Sequence, residues 1–138
     1  KIEEPIVRKR SDRTSFAVST SGRSARTDYE VVEAMRYLSL VRFFPRTGRT
    51  HQIRVHSAFH GNPIFSDEKY NGGLNRIKGF LPEISKKLKT MLNSIGRQAL
   101  HAHELSITHP TTEEQLQLEA PLPEDFTNLI EDMKELNV

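Results

Sequence analysis

The stretch from Thr27 to Gly61 constrains the fold more than any other, because it reads as strand, strand, turn and helix with almost no slack between them. The run TDYEVVEAM is rich in β-formers and LSLVRFFP continues the pattern, so two locally joined strands are expected, the second ended by Pro45. RTGRT follows as a turn. HQIRVHSAFHG then suits a short helix, with Thr50 as N-cap and Gly61 just past its C-terminal end. At 100° per residue Val55, Ala58 and Phe59 share an inward arc with Arg54 at its border, so an arginine on a rigid helix would lie along the domain surface. Arg46 and Arg49 fall in the turn before that helix, where free backbone N–H groups favour anions.

The flanks extend this pattern. Residues 1–26 are polar and basic, and are expected to be a loop or an irregular edge. Residues 71–82 read as a Gly-containing loop. Ile84, Leu88, Met91, Leu92 and Ile95 recur at helical spacing and mark a surface helix. Leu105/Ile107 and Leu116/Leu118 alternate as in a β-hairpin. Pro123 suits a first helical position, with Phe126, Leu129, Ile130, Met133 and Leu136 as the apolar stripe behind it. Local strand pairs with helices between and after them give an α+β domain, with a mixed, largely antiparallel sheet and flanking helices. At 138 residues the chain is long enough for one such unit.

Charge divides the chain. Residues 1–60 carry 12 Lys/Arg against 6 Asp/Glu, whereas residues 61–138 carry 8 against 12. A basic front half fits a polyanion partner, and plain solubility accounts for it equally well. No run approaches a membrane span, no secretory signal is present, and with no cysteine there is neither disulfide nor thiolate chemistry. A reducing, cytoplasmic setting fits that composition. Lys1 in place of Met indicates that residue 1 is not a natural start.

Histidines invite a metal reading. His56 and His60 lie four apart on one helical face, and His101 and His103 sit on an extended segment. The residues between the helical pair are Ser57, Ala58 and Phe59, without the glutamate that a zinc hydrolase would place there, so no metal site is expected. His51 and Gln52 instead suit side-chain hydrogen bonds that tie the loop to the helix start.

The run FPRTGRTHQIRVHSAFHGNPIFSDEKY, residues 44–70, resembles the signature of the RluA family of pseudouridine synthases. Pro45, Thr47, Gly48, Arg49, Thr50, His51, Gln52, Ile53, Arg54, Val55 and His56 match its core in unbroken order. Gly61, Pro63, Ile64, Asp67 and Tyr70 continue the match, with Ser66 where the family usually has glycine. SGRSARTDYEVVE, ALHAHELSITHPTTEE and APLPEDF resemble three further family segments, and the likeness spans about residues 5–130. The resemblance implies cofactor-free and metal-free isomerisation of selected uridines in structured RNA, first in ribosomal and second in transfer RNA. It implies that Arg54 pairs with a nucleophilic aspartate and that Leu100 lines the base pocket. Arg46 and Arg49 would place substrate, although a solvated turn, or for Arg49 a loop-shaping role, fits the residues as well. Thr50, His51 and Gln52 would give structural support.

The family's His-Arg-Leu-Asp motif and its Lys-x-Tyr motif do not occur in these residues. The chain, residues 1–138, therefore resembles the C-terminal part of the catalytic domain. Its partners would be RNA and the missing N-terminal part, and the nucleophile would come from outside it. A non-catalytic RNA-binding module on the same fold is the alternative, and a metal-dependent hydrolase is a third reading.

Overall fold

Three antiparallel sheets and four helices form the described residues 1–136 in a computed structural model of the chain. Strand β4 (Arg26–Ala34) pairs with β5 (Ser39–Pro45) from Thr27 opposite Pro45 to Ala34 opposite Ser39, and β1 (Ile2–Glu3) joins the other edge of β4. Val31 and Glu33 straddle a bulge, which lets both Val31 and Val32 reach solvent. Strands β2 (Ile6–Arg8) and β3 (Phe16–Val18) form a second sheet, and β6 (Glu104–Thr108) and β7 (Gln115–Glu119) a third. Every pairing among the described residues is antiparallel, so the sheets are not mixed.

The N-terminal segment is more ordered than its polarity suggests. Ile2 and Ile6 are buried, Ile6 exchanges backbone hydrogen bonds with Arg23, and Ile6, Ala25, Val55 and Tyr70 form one small core with Phe16 and Val18 packed on it. A handful of apolar residues at alternate positions is enough when another element supplies the opposite wall.

That element is α1 (Gln52–Phe59). Its inward arc differs from the one periodicity suggests. Gln52, Val55 and His56 are buried, whereas Phe59 is 57% exposed. Gln52 and His56 can face inward because they find partners on β4, the preceding turn and the Glu4 carbonyl.

A second core joins α3 (Pro82–Ile95) to α4 (Glu124–Leu136) through Leu88, Met91, Leu92, Ile95, Leu129, Met133 and Leu136, closed by Phe65 and Ile77. Each such side chain contributes roughly 2 kcal/mol by leaving water. The expected loop at 71–82 contains a short helix, α2 (Leu74–Ile77), which brings Ile77 into that core.

Candidate active site

The turn from Arg46 to Thr50 is organised by one amide. Gln52 Oε1 accepts hydrogen bonds from Thr47 Oγ1 (2.7 Å) and the Arg49 N–H (3.1 Å), while its Nε2 donates to the Arg26 carbonyl (2.8 Å) and Thr27 Oγ1 (3.0 Å). Thr27 Oγ1 lies 2.8 Å from His56 Nδ1, and His56 Nε2 donates to the Glu4 carbonyl at 2.9 Å. A carbonyl can only accept, so the proton of His56 sits on Nε2. Both ring nitrogens are then occupied, which removes His56 as a metal ligand. Gln52 thus ties the loop to the helix start.

His51 does something else. It adopts the left-handed region (φ 56°) and stands in the N-cap position that Thr50 was expected to hold, without a side-chain capping bond. Thr50 is exposed. The reversed backbone turns the imidazole toward Tyr70, whose hydroxyl meets His51 Nδ1 at 2.7 Å and accepts the Phe16 N–H at 3.1 Å. Phe16 and Tyr70 both lie edge-on to the ring. Burial, and secondarily the Arg54 charge, push the His51 pKa below its ordinary value.

Arg54 projects from the middle of α1 and is held by Asp67. Its Nε lies 2.8 Å from Oδ2 and its Nη2 2.9 Å from Oδ1, with the Arg54 side chain 15% exposed and that of Asp67 1%. The guanidinium also rides over the Tyr70 ring, 4.9 Å from its centroid. The hydrogen bonds that Arg54 donates to Asp67 raise its pKa further, so its charge is permanent. Asp67 is thus a partner of Arg54 within the chain that the sequence reading did not assign. The segment from Pro63 to Gly72 folds back on α1, which places a carboxylate thirteen residues downstream against the helix.

Gly72 makes that fold-back possible. Its N–H donates to the Asp67 carbonyl at 2.7 Å, and a Cβ built there would stand 1.9 Å from the Ile64 carbonyl oxygen.

The pair leaves one edge of the guanidinium over. Nη1 makes no hydrogen bond among the described residues, and Ser57 Oγ is the one buried side-chain polar atom there that lacks a partner. Nη1 therefore reaches solvent.

Arg46 and Arg49 stay with the turn. Arg46 Nε bonds Asp28 Oδ2 at 2.9 Å with most of the side chain in water, and Asp28, also bonded by Arg26, is held down to a pKa of about 2. Arg49 Nε donates to the Ser24 carbonyl at 2.8 Å, the loop-shaping arrangement. Leu100 is half-buried in the extended segment before β6. Its carbonyl accepts a bond from Arg97 Nη1, and Arg97 grips Asp125 at the start of α4 through two further bonds of 2.9 and 3.0 Å. His101 and His103 both donate to the Ala120 carbonyl, closing the base of the hairpin.

Two shallow hollows flank these residues without enclosing Arg54. One, of about 310 Å³, is lined by Glu3, Ser24, Arg26 and Thr47 among others, and one of about 300 Å³ lies between α3 and α4.

An apolar sheet face stands open beside α1. Thr27, Tyr29 and Val31 of β4, with Pro45, Phe43 and Val41 opposite, point to one side. Only the Thr27 end lies under the helix; Tyr29 is 37% and Val31 53% exposed.

No protein-family model matches the chain. Among curated proteins it is 41% identical over 134 residues to ribosomal large subunit pseudouridine synthase D of Haemophilus ducreyi, covering 97% of this chain and 40% of that protein. It is 38% identical over 133 residues to the synthase D of Escherichia coli, again covering 40% of that protein. The chain thus spans about two fifths of the length of the curated relatives it matches. Among solved structures it is similar to human RNA pseudouridylate synthase domain containing 4 (TM-score 0.67, 30% identity, 96% of this chain and 55% of that one). Human RNA pseudouridylate synthase domain containing 1 is also similar (TM-score 0.64, 28% identity, 88% and 47%).

Proposed function

We propose that over the span it covers the chain is a member of the RluA family of pseudouridine synthases, and that it supplies the arginine side of a site converting uridine to pseudouridine in structured RNA. The observation that carries this reading is the guanidinium of Arg54, fixed on a helix by a buried carboxylate and still offering Nη1 to solvent.

The reaction breaks an N-glycosidic bond and rejoins the uracil through C5, and it needs an ionised carboxylate beside the sugar. In a partly dry site a carboxylate drifts toward its neutral form, and a fixed guanidinium opposes that drift while orienting it. Four of the chain's five aspartates are already engaged, and the fifth, Asp132, lies on α4 beside the hollow between α3 and α4. Asp12 is taken by Thr14 and Ser15, Asp28 by Arg26 and Arg46, Asp67 by Arg54 and Asp125 by Arg97. The nucleophile then belongs to the N-terminal part of the catalytic domain, which fits a chain spanning two fifths of its relatives. The open face of Tyr29, Val31, Phe43 and Val41 is where that part would dock.

RNA would run across the turn. Arg46 and Arg49 would meet its phosphates, offsetting the few kcal/mol needed to flip a base, and Leu100 would line the base pocket. Neither metal nor cofactor is required by this chemistry. The relatives' names point to ribosomal RNA of the large subunit as substrate and so to the cytoplasm.

A chimera tests the reading, with this chain replacing the 134 matching residues of the Haemophilus ducreyi synthase D. Tritium release from ribosomal RNA labelled at uridine C5 is the expected result. A folded chimera that binds the RNA in a salt-dependent way and releases no tritium would favour a non-catalytic RNA-binding module.

A further inference from the structure

Arginine has two hydrogen-bonding edges that each match a carboxylate, one formed by Nε with a terminal nitrogen and one by the two terminal nitrogens. In this chain the first edge is spent. Nε and Nη2 of Arg54 bind the two oxygens of Asp67 at 2.8 and 2.9 Å, and the acceptor is itself 1% exposed. The second edge includes Nη1, which is not fully buried and makes no bond among the described residues.

Resting on the functional reading above, we infer that Asp67 is a positioning residue for the isomerisation: it locks one edge of Arg54 so that the other is delivered to the nucleophilic carboxylate. Tyr70 completes the device from a different direction. Its ring lies under the guanidinium at 4.9 Å, and its hydroxyl is pinned between the Phe16 N–H and His51. The plane and the rotation of Arg54 are therefore fixed separately, by the ring and by the carboxylate. The same loop that carries Asp67 is sealed by Gly72, so the aspartate has little freedom of its own.

This arrangement explains why a carboxylate can neutralise Arg54 without removing its use. An unheld arginine would reach the nucleophile in many rotamers, and its ordering would have to occur at each turnover. Here that ordering is completed on folding.

The chimera described above allows the test, with kcat and KM read from tritium release and folding checked by circular dichroism. Asp67→Asn keeps the size of the side chain and one acceptor, and loses the charge and the second acceptor. It is expected to lower kcat by about 100-fold with KM little changed, the cost of misplacing a group that acts in the transition state. In an Arg54→Lys background the same substitution should cost almost nothing more, because the edge it would orient is gone. A residue that only supports the loop would instead lower kcat by the same factor in both backgrounds, and that result overturns the proposal while leaving the functional reading intact. So does an Asp67→Asn enzyme of native kcat. A folded native chimera that releases no tritium overturns the functional reading and this proposal together. Where Asp67→Asn fails to fold, Asp67→Glu, which keeps the charge and shifts the carboxylate, carries the same comparison.

Discussion

Removing the Arg54 guanidinium should cost this chain a large part of its stability, and the size of the loss follows from what remains. Arg54→Met keeps most of the aliphatic length on α1 but leaves the Asp67 carboxylate 1% exposed with its two side-chain bonds gone. Breaking a buried pair from one side costs about 3–5 kcal/mol, because an uncompensated charge stays behind. Arg54 retains 15% exposure, so water can reach the edge of the site and the lower figure, about 3 kcal/mol, applies. Loss of the contact with the Tyr70 ring adds about 0.5–1 kcal/mol. Domain stabilities are about 5–15 kcal/mol, so the variant should be visibly weakened and still measurable. Urea unfolding followed by circular dichroism gives the number. The double variant Arg54→Met/Asp67→Asn removes the stranded charge and should return to within about 2 kcal/mol of the native chain. A single-variant loss below about 1 kcal/mol, the range of an exposed pair, would refute the reasoning. So would a double variant no more stable than the single one.

Other positions give sharper local tests. Gly72→Ala places a methyl group against the Ile64 carbonyl oxygen and should destabilise the chain by about 3 kcal/mol in the same urea experiment. Ser66 sits at φ 66°, so Ser66→Gly should raise stability by up to about 1 kcal/mol, read as a higher unfolding midpoint. Asp28 is held down to a pKa of about 2 by Arg26 and Arg46, below its unfolded value of about 4. Its contribution is present above pH 4 and lost as pH falls toward 2, so Asp28→Asn should flatten the stability profile across that window.

The helix α1, both strands before it, the amphipathic pair α3 and α4 and the β6–β7 hairpin were legible because each carries its own period or punctuation. The strands β1 to β3 were not. Their apolar residues, Ile2, Ile6, Phe16 and Val18, are too few to stand out, and they are ordered by α1 and Tyr70 rather than by any local preference. At the site, Gln52 could be read from its place at the head of the helix. The His51 backbone could not, since a left-handed conformation at a non-glycine residue arises from its tertiary contacts with Tyr70 and Phe16. Asp67 was matched as part of a motif and left without a partner. A carboxylate and a glycine five residues apart, both downstream of a helix bearing a half-inward arginine, were the signal of a loop folding back on that helix.

On the proposed reading, Arg54 serves the reaction rather than the grip on RNA. In the chimera, turnover and RNA affinity should part company on Arg54→Ala. Its charge is already answered by Asp67, so Kd for the ribosomal RNA should stay within about threefold, while kcat falls by at least about 100-fold. Equal losses in affinity and turnover, or turnover that survives, would contradict it.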